Sequence, residues 1–221
     1  MNIQLFLWAY EQTGDDKFLN AAKSQINVTD NTLIRPDGSS FHHYLFDKET
    51  LKPDHGFTFQ GHSDDSCWSR GHAWSVYALA RAFDYVGDKH YLDMHHDVTN
   101  FSLNHLPEDC VTYWDYDFTS GDEARDSAAG LVTACGMMEV CRFLDDSDPH
   151  KEIYKNAAAK IIDGTIDMCA DYESKDFDGL VSHVSCAVPY NLGVEGCASY
   201  GDFFYLEALM RYTNPNWKCY W

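Results

Sequence analysis

Apolar residues recur at three- and four-residue steps along most of the chain, the spacing of helices that bury one face. The clearest case is 67–85, where Val76, Ala80 and Phe83 share a face. The pattern predicts an all-α fold. The predicted helices, in chain order, cover residues 2–11, 16–29, 67–85, 89–105, 127–144, 149–171 and 201–212.

Short polar joints connect the helices in pairs: Gly14–Leu19, Gly87–Leu92 and the looser Asp145–His150. Similar joints at intervals of about sixty to seventy residues indicate a repeated helical hairpin and a toroid of such hairpins. The chain supplies three and a half hairpins, and closing a ring of six would take about five more helices. We therefore expect 1–221 to be a single domain, an incomplete toroid that lacks its N-terminal helices.

Long loops separate the hairpins, at 31–66, 106–125 and 172–200. Loops of this length within a compact domain are usually functional. All three follow the second helix of a hairpin, so we expect them to converge on one face of the toroid.

The segment Gly56–Trp74 concentrates polar, aromatic and cationic side chains immediately before an apolar helix. Ser66, Arg70 and Trp74 lie four residues apart, which would place them on one helical face near a helix N-terminus, where an anion is favoured. Such a mixture suits a pocket for a polar, anionic small molecule. The competing interpretation is structural: Arg70 stacked on a tryptophan, with Asp64, Asp65 or Ser66 capping the helix.

Charge narrows the range of partners. The formal net charge is −19, from 35 acidic and 16 basic residues. A surface of this sign repels phosphate backbones and anionic lipids, which argues against nucleic-acid and membrane partners. An anionic ligand would need a local cation, and Arg70 is the candidate. Oligomeric state is left open.

Eight cysteines occur, and none form a C-x-x-C pair. Their places in apolar runs favour free thiols in a reduced compartment. The apolar run 3–10 is too short for a signal peptide, and we expect a cytoplasmic protein. Neither His42-His43 nor His95-His96 has metal-ligand partners at zinc spacing, and no phosphate or dinucleotide motif occurs, so we expect no metal and no cofactor.

Two further motifs have open interpretations. The aromatic strip Tyr113–Asp117 would serve as a packed loop anchor or as a stacking surface for sugar rings. The overlapping pattern Asp115-x-Asp117-x-Thr119 begins like a calcium loop, but it lacks the glycine at the sixth position. Asp126 precedes an apolar helix, and we expect its side chain to cap the first turn.

Together these segments resemble the unsaturated glucuronyl hydrolases, glycoside hydrolase family 88. The resemblance implies an (α/α)6 barrel and activity on lyase-generated oligosaccharides whose terminal uronate carries a C4=C5 double bond. An aspartic acid would protonate C4 and activate water for C5, with no metal or cofactor. The matching segments are Arg35–Gly38, Ser63–Trp74, Leu106–Asp109, Tyr113–Asp115, Asp126–Ala129 and Gly201–Leu209.

Residue by residue, the resemblance implies that Arg70 holds the uronate carboxylate and that Trp68 and Trp74 wall the planar ring. His42 and Gln60 would bind hydroxyls or steady the water, and Ser66 is a weaker candidate. His72 stands where glutamine is commoner, and Val188 stands where members that accept sulfated sugars tend to carry a basic residue, which favours unsulfated substrates.

The resemblance also implies that the catalytic residues of the family are missing from this chain. The two catalytic aspartates of the family correspond to positions upstream of Met1, so we expect no catalytic residue within this chain and little or no activity from it alone. Two alternatives remain open: an unsaturated rhamnogalacturonyl hydrolase on the same fold, and a non-catalytic carbohydrate-binding remnant.

Overall fold

The computed structural model describes residues 2–170, 178–214 and 216–218. Within these residues the seven predicted helices are confirmed, with ends that shift by about one turn or less. The predicted end of the sixth helix at 171, the first part of the 172–200 loop and Cys219 lie outside the described residues. The elements are α1 Asn2–Thr13, α2 Asp16–Thr32, β1 His43–Phe46, β2 Pro53–Phe57, α3 Ser69–Val86, α4 Lys89–Asn104, α5 Ser127–Val140, α6 Pro149–Cys169, a 3-10 turn Val188–Tyr190 and α7 Ser199–Thr213.

The repeated joints form repeated helix caps. Asp15, Asp88 and Asp148 are the N-cap residues of α2, α4 and α6, and each carboxylate accepts a hydrogen bond from the backbone N–H two residues later. Before the first two caps, Gly14 and Gly87 adopt positive φ angles of 66° and 68°, a conformation that favours glycine. The joints therefore resemble each other because each one supplies the aspartate that caps the next helix.

The helices form two layers. The odd-numbered helices pack in chain order, α1 on α3, α3 on α5 and α5 on α7, while α2, α4 and α6 each pack against the first helix of their own hairpin. At Gly136 in α5, an added Cβ would lie 2.9 Å from the backbone of Tyr77 in α3. That close approach needs glycine, and it lets α5 sit deep in the core with nearly every residue buried.

Both end helices of the inner layer expose apolar side chains. On α7, Phe203, Leu206 and Met210 follow one another at helical spacing, and Leu206 is 52% exposed. On α1, Leu5 and Trp8 are exposed. The exposed apolar face expected for an incomplete toroid is thus present. None of the described helices is both long and apolar enough to cross a membrane.

A small antiparallel hairpin, β1–β2, interrupts the first long loop, and the sequence pattern did not predict it. His43 pairs with Phe57 and Tyr44 with Gly56, and the register then shifts before Phe46 meets Pro53. The two strands are short and lack the apolar–polar alternation that identifies a strand. The hairpin lies within an otherwise all-α fold.

Buried His72 gives the fold a predicted pH dependence. Burial lowers its pKa to about 4, and its Nε2–H donates to the Val98 carbonyl while Nδ1 accepts from Ser40. At pH values between about 4 and 6.5, His72 is neutral in the folded protein but protonated in the unfolded chain. The folded protein therefore loses stability as the pH falls below about 6.5.

We expect His72→Gln, which keeps a donor and an acceptor, to lose less stability than the wild type between pH 7.5 and 5. Urea unfolding of both proteins at the two pH values measures this. The difference between the two proteins isolates His72 from other groups that titrate in the same range. Equal losses of stability in the two proteins would show that His72 does not contribute to the pH dependence.

Candidate functional site

The three long loops converge at the N-terminal end of α3, as expected. The Gln60 side chain, in the first loop, donates to the Cys186 carbonyl in the third. In the second loop, the Trp114 carbonyl accepts from the Ser69 N–H, and the Tyr116 N–H donates to the Cys67 carbonyl. This end of the inner layer therefore gathers side chains from distant parts of the chain.

Four of the predicted site residues lie together there. The Trp68 ring packs against His42, with centroids 4.3 Å apart and planes tilted by 40°, and the Arg70 guanidinium lies 4.8 Å from the centre of the Trp68 ring. Gln60 and Arg70 meet at one atom, because both donate to the Cys186 carbonyl, at 2.6 and 2.9 Å. We call His42, Gln60, Trp68 and Arg70 the uronate-site cluster, after the ligand that the resemblance implies.

Arg70 is fixed by a buried ion pair. Its Nη1 donates to Oδ2 of Asp126 and, at 2.6 Å, to the Ser185 carbonyl. Both side chains of the pair are buried. Burial raises the pKa of Asp126 to about 6, although the Arg70 guanidinium acts in the opposite direction. The described bonds use three of the five N–H groups of Arg70, so its orientation is set before any ligand arrives.

His42 is held in one tautomer. Its Nδ1 accepts from the backbone N–H groups of Phe59 and Gln60 and lies 3.0 Å from the Thr58 hydroxyl. Nδ1 is therefore the acceptor, and Nε2 carries the proton. Burial lowers the pKa of His42 to about 4, with smaller contributions from His43 and Arg70. The ring is a neutral hydrogen-bond donor at neutral pH.

Gln60 is half-buried and complements His42. Because its Nε2 is bound to the Cys186 carbonyl, its Oε1 remains as an acceptor. A sugar hydroxyl both donates and accepts, so the donor on His42 and the acceptor on Gln60 are complementary to a sugar ring. Trp68 is only 7% exposed, with His42 and Arg70 against its ring, so it packs these side chains in place.

Trp74 and Ser66 lie apart from this cluster. Trp74 is one turn further along α3 and packs against Phe204, with ring centroids 5.4 Å apart. Ser66 precedes α3, which begins at Ser69, so the expectation that it shares a helical face with Arg70 is wrong. Its buried hydroxyl donates to Oδ2 of Asp115 at 2.7 Å, which gives it a role in holding the loop.

The side-chain cap considered for α3 is absent, and the one expected for α5 is modified by a second partner. The N-cap of α3 is Trp68, which makes no side-chain cap bond, so none of Asp64, Asp65 and Ser66 caps this helix. Asp126 does occupy the N-cap position of α5, and the backbone N–H groups of Ala128 and Ala129 in the first turn act to lower the pKa of its carboxyl, although the side chain makes no regular cap hydrogen bond. The same carboxylate pairs with Arg70, because a buried guanidinium needs an opposite charge.

Comparison with known proteins identifies the family. The model of glycosyl hydrolase family 88 matches residues 1–118. An unsaturated chondroitin disaccharide hydrolase from Streptococcus pneumoniae is 39% identical across the whole chain.

The chain belongs to glycosyl hydrolase family 88.

Solved structures of the family agree with the fold. The unsaturated glucuronyl hydrolase from Bacillus sp. GL1 superposes with a TM-score of 0.92 at 34% identity, covering 97% of this chain and 57% of that one. A Streptococcus agalactiae relative, a point mutant complexed with dGlcA-GalNAc6S, gives a TM-score of 0.90 at 38% identity, covering 100% and 58%. These structures are (α/α)6 barrels, so this chain forms an incomplete (α/α)6 barrel. The Streptococcus pneumoniae relative is likewise covered over 56% of its length.

The aromatic strip of this family 88 chain is a loop anchor. Tyr113, Trp114 and Tyr116 are each less than 5% exposed, so their faces are not available to stack on a sugar. Between them, Asp115 is fully buried and accepts from the His62 N–H and the Ser66 hydroxyl. The stacking interpretation of this strip is wrong, and the packing interpretation is confirmed.

Two residues that the sequence did not single out for the site complete the surroundings of Arg70 in this family 88 chain. Asp126 supplies its counter-charge, and the ring of Tyr200, at the start of α7, lies 4.9 Å from the guanidinium carbon. Burial raises the pKa of the Tyr200 hydroxyl to about 12, so the ring stays neutral beside the cation. No local spacing could reveal either contact, since both partners lie far along the chain from Arg70.

Proposed function

We propose that the complete protein releases the terminal Δ4,5-unsaturated glucuronate from lyase-generated oligosaccharides of glycosaminoglycan type. The observation that carries this proposal is the uronate-site cluster, in which a fixed guanidinium, the Trp68 indole packed against it and a complementary donor–acceptor pair meet at one end of the barrel. The named activity of the Streptococcus relatives, on unsaturated chondroitin disaccharides, supports the same substrate class.

The binding roles follow from the geometry. The two N–H groups of Arg70 that the described bonds leave over would bind the uronate carboxylate, and the part of the Trp68 indole that remains exposed would border the planar ring. His42 Nε2–H and Gln60 Oε1 would bind hydroxyls or orient the attacking water. Trp74 lies further along α3 and would extend the wall of the site, while Ser66 would act through the loop that it holds. The strongly acidic surface repels an anionic ligand. Because Asp126 already balances the charge of Arg70, carboxylate binding would depend on the hydrogen bonds that Arg70 donates.

The proposed reaction is hydration of a vinyl ether. A carboxylic acid protonates C4, water adds at C5, and the resulting hemiketal opens to release the remaining sugar. One carboxyl has to act as acid and then as base, which requires a suitably tuned pKa in a shaped pocket. We propose that the aspartates with this role lie outside the present chain, on helices that pack against the exposed apolar faces of α1 and α7.

The test is a turnover assay of the 221-residue chain with a Δ4,5-unsaturated chondroitin disaccharide, followed by loss of the ultraviolet absorbance of the double bond. We expect no turnover above the uncatalysed rate. Robust turnover at low enzyme concentration would show that a carboxyl within 1–221 performs the chemistry and would overturn this assignment.

With a longer, active form of the protein, the same assay can compare activities on different unsaturated substrates. We expect activity on unsulfated chondroitin or hyaluronan disaccharides to exceed that on a sulfated one, because Val188 offers no charge to a sulfate. Activity on unsaturated pectin fragments but not on glycosaminoglycan fragments would instead indicate a rhamnogalacturonyl hydrolase.

A further inference from the structure

A second group of histidine and aspartate side chains lies away from the uronate-site cluster, between outer helices of neighbouring hairpins. His96 is on α4, and Asp148 and His150 are at the N-terminus of α6. One potential ligand atom from each of the three lies within 4.8 Å of the others. The imidazole rings of His96 and His150 stack with centroids 4.0 Å apart and planes 19° apart.

We propose that His96, Asp148 and His150 form a binding site for a divalent transition-metal ion. Two imidazoles and one carboxylate are a ligand set that suits zinc, nickel, copper or cobalt, whereas calcium and magnesium prefer oxygen ligands throughout.

The described hydrogen bonds are compatible with metal binding. His96 Nδ1 is 2.8 Å from the Tyr154 hydroxyl, which leaves its Nε2 without a described partner. His150 Nδ1 is 2.9 Å from Oδ1 of Asp148, a separation that two ligand atoms of one ion also have, so an ion would replace the proton between these two atoms. Holding one nitrogen of a histidine by a hydrogen bond, as Tyr154 holds His96, is the usual arrangement around protein-bound ions.

The site is accessible and lies in an acidic environment. The side chains of His150 and Asp148 are about one-third exposed, at 34% and 28%. Asp93 and Asp97 also act electrostatically on His96. Metal–nitrogen bonds of about 2.0–2.1 Å would bring the ligand atoms to about 3 Å from one another, a change within reach of side-chain rotation.

The chain provides a matched control. Asp88 and His90 occupy the same places at the start of α4 that Asp148 and His150 occupy at the start of α6, and Asp88 caps its helix in the same way. His90 pairs with Asp30 at 2.9 Å, and among the described residues it belongs to no cluster of three potential ligands. Helix capping alone can thus be separated from metal binding.

The experiment is calorimetric titration of the untagged 221-residue chain with Ni²⁺. We expect one ion per chain, with affinity lowered at least about tenfold by His96→Ala or His150→Ala. Asp148→Asn retains an N-cap residue, and Tyr154→Phe retains the core ring. Both should fold, as circular dichroism will check, and both should also weaken binding. The double variant Asp88→Asn/His90→Ala should bind like the wild type.

Titration with Co²⁺ adds a spectroscopic readout, because thiolate ligation gives an intense charge-transfer band that imidazole and carboxylate ligation lack. We expect visible d–d bands without the thiolate band. The proposal is overturned if the wild type binds no stoichiometric Ni²⁺, if the His96 and His150 variants bind as tightly as the wild type, or if the Asp88/His90 control loses binding equally.

Discussion

Replacing Arg70 by alanine is expected to lower the free energy of unfolding by about 3–5 kcal/mol and to abolish binding of the unsaturated uronate. The stability loss arises because Asp126 is fully buried and would lose its counter-charge, while the Ser185 carbonyl would lose the Arg70 donor and the Cys186 carbonyl would keep only that of Gln60. Chemical denaturation measures the first effect, and calorimetric titration with the disaccharide measures the second.

Arg125→Ala is the matched control. Arg125 also binds a carboxylate, that of Asp109, together with the Val111 carbonyl, but Asp109 is 37% exposed. We expect a cost of about 1 kcal/mol or less for this variant, because water solvates the abandoned carboxylate. Equal costs for the two variants would contradict the assignment of a buried, essential pair to Arg70 and Asp126.

The Arg70→Ala variant also has a characteristic pH dependence. Without the guanidinium, the pKa of Asp126 should rise further, so the folded protein binds a proton that the unfolded chain releases. Stability of the variant relative to the wild type should then fall as the pH rises from 5 to 8. A cost that does not change with pH would show that the buried carboxylate is not the source of the loss.

Replacing Glu139 by glutamine is expected to destabilise the fold by about 3–5 kcal/mol as well. Glu139, on α5, is fully buried and binds Arg81 of α3, Arg142 just beyond the end of α5 and Arg211 of α7. Glutamine keeps the size of the side chain but removes the charge, which leaves the buried Arg81 and Arg211 without this partner. Thermal and urea unfolding will measure the loss.

Asp84→Asn separates the buried part of this network from its edge. Asp84 binds the same Nη1 of Arg81 that Glu139 binds, but its side chain is 27% exposed. We expect its replacement to cost about 1 kcal/mol. If Glu139→Gln cost no more than Asp84→Asn, the packing of α3, α5 and α7 against one another would not depend on the buried charge of Glu139.

Most of the helical architecture is predictable from the sequence. The seven helices follow from apolar spacing because each buries one face, and the caps at Asp15, Asp88 and Asp148 follow from a local hydrogen bond between an aspartate and an N–H two residues away. Interactions this short in sequence leave a readable pattern. The convergence of the long loops follows from the hairpin repeat.

Interactions between segments that are distant in the chain cannot be predicted from such local patterns. Asp126 looks like a helix cap in the sequence, and only the fold shows that its carboxylate also pairs with Arg70. The strip at Tyr113–Asp117 looks like a sugar platform until the packing buries it. His96 and His150 lie on different hairpins, so a search for ligand spacing along the chain cannot bring them together.

The resemblance nominates the residues of the proposed site, and the structure defines which of their atoms donate and which accept. The sequence places His42 near the site but cannot assign its tautomer, which depends on N–H groups of Phe59 and Gln60 across the loop. Likewise, the free acceptor of Gln60 is defined only by the bond of its Nε2 to Cys186. Donor and acceptor roles therefore come from the fold.

The central claim is that the uronate-site cluster binds an unsaturated uronate, and saturation-transfer difference NMR tests it most directly because the method detects weak ligands. With a Δ4,5-unsaturated chondroitin disaccharide, the wild-type chain should transfer saturation to the vinyl proton at C4. His42→Ala and Gln60→Ala, both at half-buried positions, should reduce that transfer while the chain remains folded. Absent transfer to the wild type, or equal transfer to all three proteins, would contradict the account.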